Sequence, residues 1–150
     1  MGDPADKVDF LILGEGYTAA EMDKFVAGRP AHDRRPAFDR TVQGRPQEFQ
    51  RLGALPAVRG KRRDAPLHRR LPRLTVGTAY DTFGFERYML ASDNKALRKI
   101  TQFAPYEFTE ILANNRTYGG GGIFNLYSTV AVDNAFANYI FVHERHHFAG

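Results

Sequence analysis

The stretch from Gly119 to His147, GGGGIFNLYSTVAVDNAFANYIFVHERHH, decides how the chain folds, because its periodicity changes partway along. Phe124, Leu126, Ser128, Val130 and Val132 recur at every second position with Asn125, Tyr127 and Thr129 between them, the period of a β-strand. From Asn134 the spacing lengthens to that of a helix, and Phe136, Ile140, His143 and His147 fall on one stripe. The pattern predicts a strand over 123–132 and a helix over 134–147 whose histidines continue its buried face. Asp133 is the expected helix start. Gly119 to Gly122 read as a flexible loop leading into the strand rather than as a phosphate-binding loop, since no Lys-Ser/Thr follows them.

The helix runs into His143-Glu144-Arg145-His146-His147, which satisfies H-E-x-x-H. In a helix the outer two histidines stand one turn apart, so their neutral imidazoles can hold one Zn2+ from the same side. Glu144 then faces the open side, where it can take a proton from the attacking water. His147 is the second ligand by ideal helical winding; His146, one position earlier and near the same face, is the alternative. His32 and His68 read as incidental. The chain has no cysteine, which excludes disulfides and thiolate ligands and leaves histidine and carboxylate as the strong metal donors.

Working outward, Phe108–Ala113 reads as a strand, and Asp93 caps a helix near Asn94–Ala104 with Ala96, Leu97, Ile100 and Phe103 at helical spacing before Pro105. Val8–Leu13 is a short apolar run suited to a buried strand, ended by Gly14-Glu15-Gly16. Thr18 and Glu21 then form a capping box for a helix near Ala19–Ala27, with Met22, Phe25 and Val26 inward. Asp3, Asp6 and Asp9 lack the spaced Gly and Glu of a calcium loop. At 150 residues one domain is expected, and neither a membrane span nor a signal peptide is visible.

Gly28–Leu74 is different in kind. It holds 13 of the lysines and arginines against 4 acids, 6 of the 8 prolines and no tyrosine, and 27 of its 47 residues are Arg, Pro, Gly or Ala. Such a segment suggests a disordered basic arm, and Arg29 to Arg73 would serve a nucleic-acid-binding protein, though only Phe38 and Phe49 are there to stack on bases. The same composition arises when a GC-rich gene is read out of frame. At one constant offset, Phe38–Gly44 can encode S-T-E-P-F-K, Gln50–Leu55 can encode N-V-W-A-L and Ala65–Leu74 can encode R-P-S-T-G-V-Y-R-D. The segment is therefore read as out of frame and poorly ordered, with strands lost from the sheet and edges exposed.

Three runs, GDPADKVDFLILGEGYTAAEMDKF, VGTAYDTFGFERYML and RTYGGGGIFNLYSTVAVDNAFANYIFVHE, together resemble the catalytic domain of the immunoglobulin A peptidase family of zinc metallopeptidases, metallopeptidase family 64, over residues 2–27 and about 75–150. The GEGYT turn and the YGGGGIFNLY run carry most of the likeness. The resemblance implies the amino-terminal part of an α/β, zincin-like catalytic domain with a mixed sheet and an active-site helix. It implies Zn2+, hydrolysis of a protein or peptide substrate, an extracellular or periplasmic setting, and no nucleic-acid or membrane partner. It also implies that the strand before the helix, at Tyr127, Ser128, Thr129 and Val130, pairs with the substrate backbone by β-augmentation. Family members carry Phe-Gly where this chain has only Arg145, which aligns His146 with the family's second ligand, and their third ligand falls after the position of Gly150. A non-enzymatic remnant of the family is the remaining alternative.

Overall fold

A computed structural model describes residues 8–27, 49–54, 76–104 and 106–146. Its centre is a five-stranded sheet in the order β2-β1-β5-β7-β6, built from β1 (Val8–Glu15), β2 (Phe49–Ala54), β5 (Phe108–Ala113), β6 (Gly120–Ile123) and β7 (Tyr127–Ala131). The first four strands in that order pair in parallel, and β6 closes the far edge antiparallel to β7. A two-stranded ribbon, β3 (Thr78–Ala79) and β4 (Leu90–Ala91), accompanies it. The helices are α1 (Met22–Ala27, entered through a 3-10 turn at Ala19–Glu21), α2 (Asn94–Thr101) and α3 (Ala137–His146). None of the described helices is long and apolar enough to cross a membrane. The architecture is the expected mixed α/β sheet.

Both faces of the sheet are covered, which is why β1 reads as an uninterrupted apolar run rather than an alternating one. On one face Phe10, Ile12, Leu112 and Val130 pack with Phe25, Ile140 and Phe141. On the other, Leu11, Leu13, Ile111 and Tyr127 pack with Val76, Leu90, Ala91 and Leu97. Polar contacts tie the strand ends together. The buried Glu15 carboxylate accepts from Val76 N (3.2 and 3.3 Å) and Thr78 N (3.5 Å), fastening the GEGYT turn to the ribbon more than 60 residues on. Asn114 donates to Gly16 O and Glu21 and accepts from Lys24 Nζ at 2.8 Å, locking α1 against the end of β5.

The local signals hold at two caps. Asp93 accepts from Ala96 N at 2.8 Å. Glu21 accepts from Thr18 N at 3.0 Å and from the Thr18 hydroxyl at 2.9 Å, and these bonds, the backbone one foremost, hold its carboxyl below the ordinary value against the opposing effect of burial. Helix α2 stops at Thr101, so Phe103 lies beyond it and is exposed instead of continuing the stripe.

Four other expectations are corrected. The strand predicted over 123–132 is a hairpin: Phe124–Leu126 form the turn between β6 and β7, with Asn125 at φ +57° and Leu126 N donating to Ile123 O at 3.0 Å. Asparagine tolerates the left-handed region, and period-two alternation cannot show that the chain reverses. The glycines expected to form a flexible loop are instead the edge strand β6. Asp133 does not start the last helix. It pairs with Lys24 (3.0 Å) and Arg116 (3.3 Å), while Asn134 accepts from Phe136 N and α3 begins at Ala137. The fourth correction lies in the basic segment, where Phe49–Ala54 form β2 in parallel register with β1, so that this edge of β1 is paired. Strand pairing is made by backbone groups, to which a composition argument is blind. Residues 28–48 and 55–74 lie outside the described residues, as do His32 and His68.

Candidate active site

Helix α3 packs on β7 and β6, and the glycines of β6 determine how closely. A Cβ added at Gly120 would stand 2.5 Å from Ile140 Cγ2 and 2.9 Å from Thr129 O, with Glu144 Oε1 at 3.6 Å. On the opposite face, a Cβ at Gly121 would meet Met89 O and the Tyr88 ring, each at 2.9 Å. The strand is thus pressed between the helix and the 87–89 segment, and any side chain on it would force the layers apart. The outer edge of β6 is engaged as well: Gly120 N donates to Arg87 O and Met89 N to Gly120 O, both at 3.1 Å, and Tyr88 Oη donates to Gly122 O at 3.2 Å.

Between α3 and this edge lies a cleft of about 550 Å³. His143 and Glu144 both line it, together with Arg87, Tyr88, Tyr118, Phe124 and Tyr139. His143 is exposed and its ring lies nearly parallel to Tyr139, one helical turn earlier, with centroids 5.8 Å apart. Glu144 is half-buried against the Gly120 face. The histidine therefore does not continue the buried face as the stripe implied. Ile140 and Phe141 face the core, and Phe136, 60% exposed, packs edge-on against Tyr118 at 5.7 Å.

The helix is formed through His146, so His143, Glu144, Arg145 and His146 of H-E-x-x-H lie on a helical backbone. The His146 side chain and the whole of His147 lie outside the described residues. Among the described residues no three His, Asp or Glu side chains are grouped to hold a metal ion. Of the residues expected to hold a metal, His143 is the one whose side chain is described, and it presents an imidazole, a donor suited to zinc, to the cleft.

Tyr127, Ser128, Thr129 and Val130 are all buried, and β7 is paired on both sides, to β5 and to β6. Its backbone is fully used by the sheet, so these residues do not offer a free edge to a substrate. This corrects the β-augmentation that the resemblance implied for them, because both edges of this strand are already taken by its neighbours. Their side chains hold the scaffold instead. Tyr127 Oη donates to Ala91 O at 3.0 Å, with burial pushing its pKa up against that bond, and the Thr129 hydroxyl donates to Met89 O and to Gly121 O.

The residues that the sequence reading passed over are Arg87 and the ring of aromatics around the cleft. The one cue to them was that Tyr118 and Phe124 flank a run of glycines, a run that elsewhere signals close approach of another element.

No curated protein matches the chain. The family model described as IgA peptidase M64 matches residues 1–150, including the basic segment that composition set apart. The chain belongs to the IgA peptidase M64 family.

Proposed function

We propose that the cleft beside α3 is the active site of a zinc-dependent peptidase acting on protein or peptide substrates. The observation that carries the reading is that His143 and Glu144, adjacent in H-E-x-x-H, line one cleft from a formed helix, next to a glycine strand that lets the helix approach.

In this reading His143 and His147, or His146 in its place, hold the ion. When bound, the zinc supplies positive charge that polarises a peptide carbonyl and acidifies a water. The remaining work falls to the chain. Glu144, held at the cleft wall over Gly120, accepts a proton from the attacking water and returns it to the leaving amine. Its half-buried position keeps the carboxylate close to the reacting atoms while leaving it reachable from the cleft. Tyr88, Tyr118, Phe124 and Tyr139 border the cleft around it.

Of the basic residues that would serve a nucleic-acid-binding protein, only Arg51 falls in a described element, and no observation on the described residues favours that reading. The test is hydrolysis of a quenched fluorescent peptide library by the zinc-loaded chain and its Glu144→Gln variant. Loss of turnover by roughly 10²–10⁴-fold with zinc content unchanged is expected for a general base; equal turnover in the two proteins would refute the assignment.

A further inference from the structure

We propose that the cleft selects peptides in which a large apolar side chain lies next to a carboxylate, with Arg87 as the specificity-determining residue. The proposal rests on reading this cleft as a peptidase site.

The apolar half of the argument is the wall. Tyr88, Tyr118, Phe124 and Tyr139 border the cleft, and Phe124 and Tyr139 are 64% and 63% exposed, a large aromatic surface left in water beside His143 and Glu144. These rings are held in place. Phe124 rides the hairpin turn set by the left-handed Asn125, Tyr118 is braced edge-on by Phe136, and Tyr88 Oη is bonded to Gly122 O. Rigid aromatic faces around a cavity of this size take up an apolar side chain at little ordering cost.

The charged half is Arg87. Its backbone is fixed, because its carbonyl accepts from Gly120 N, the residue over which Glu144 lies. Its side chain is exposed and makes no hydrogen bond or ion pair among the described residues, unlike Lys24 and Arg116, which both engage Asp133. Arg87 is the only lysine or arginine among the described residues lining the cleft. A guanidinium presents paired N–H donors that match a carboxylate, and an apolar ring beside it leaves that pairing less screened than on open surface. The carboxylate can come from an acidic side chain or from the end of a peptide, and the two are separable.

The test is fluorescence anisotropy on the full chain with labelled hexapeptides. The first set consists of amides in which one phenylalanine is followed by aspartate, asparagine or lysine; the second is a neutral phenylalanine peptide as free acid and as amide. Wild type should bind the aspartate peptide about fivefold more tightly than the asparagine one, the scale of a partly exposed ion pair. Arg87→Gln should erase that preference and Arg87→Glu should turn it toward lysine, a reversal that loss of folding cannot produce. Phe124→Ala should weaken every phenylalanine peptide while leaving the charge preference intact. A preference for the free acid over its amide, lost in Arg87→Gln, would place the carboxylate at the peptide terminus. A preference unchanged in Arg87→Gln, or no peptide bound by wild type, would overturn the proposal. Zinc content measured on the same samples separates the two readings: selectivity without zinc binding sinks the metallopeptidase reading, and zinc binding without selectivity sinks this one.

Discussion

The Glu144 carboxylate lies over Gly120, with Oε1 3.6 Å from the point where a Cβ would be, and Ile140 on the same helix fills the rest of that space. The Glu144 carboxylate and the strand beneath it are thus positioned by the absence of one methyl group. Gly120→Ala should push α3 off β6, since the methyl meets Ile140 at 2.5 Å and the unyielding Thr129 carbonyl at 2.9 Å. A loss of about 1–3 kcal/mol in urea-unfolding free energy is expected, the usual cost of overpacking. Hydrolysis should fall further than stability explains; a variant as stable and active as the parent would show that the close approach is unimportant.

Glu15 is the second single-residue dependence. Its carboxylate is buried and accepts from two backbone N–H groups of the 76–78 segment, so Glu15→Ala leaves both donors without their acceptor. A destabilisation of about 2–4 kcal/mol is expected. Glu15→Gln keeps an acceptor oxygen and should lose less. Hydrogen exchange at Val76 and Thr78 would report the change locally.

Acid should weaken the contact between α1 and the 116–133 region. Burial alone would raise the Asp133 carboxyl, but its hydrogen bond and charge interaction with Lys24, and then those with Arg116, bring it below the ordinary 3.8. A carboxyl depressed on folding stabilises the fold above its unfolded pKa, and that contribution disappears as pH falls through the folded value. Asp133→Asn should therefore be less stable than wild type near neutral pH, with the difference shrinking as pH falls from about 3.9, the unfolded carboxyl value, through the folded one. Urea midpoints across this range would decide it, and a constant difference at all pH values would contradict the assignment.

The out-of-frame reading of 28–74 makes a prediction about the gene. Compared with close relatives, the bases spanning codons 27–76 should show compensating insertions or deletions. At the shifted offset Gln50–Leu55 become N-V-W-A-L, a more apolar occupant for the sheet position that β2 takes. An uninterrupted shared frame would contradict the reading.

Much of the fold was legible because local rules and tertiary needs agree. The apolar run of β1, the Asp93 cap, the Thr18–Glu21 pair and β5 all fall where the sequence places them. The hairpin at Phe124–Leu126 was not legible, since alternation continues through the turn and the reversal depends on one left-handed asparagine. Exposed Phe136 and buried Ser128 likewise show that periodicity finds an element without saying which neighbour covers it. Of the site, His143 and Glu144 were visible in H-E-x-x-H, but the cleft around them was not. Arg87, Tyr88 and Tyr118 come from segments distant in sequence that only the sheet brings together. The strand β2 was missed because backbone pairing leaves little trace in composition.

The most direct test of the proposed zinc site is isothermal titration of Zn2+ into the metal-free chain and its His143→Ala variant. One zinc should bind to wild type, and the variant should lose roughly 100-fold or more in affinity, about 2.7 kcal/mol, because one of the few protein ligands is gone. Equal zinc affinity in the two proteins would contradict the account, since it would leave His143 with its place in the cleft and no part in holding the ion.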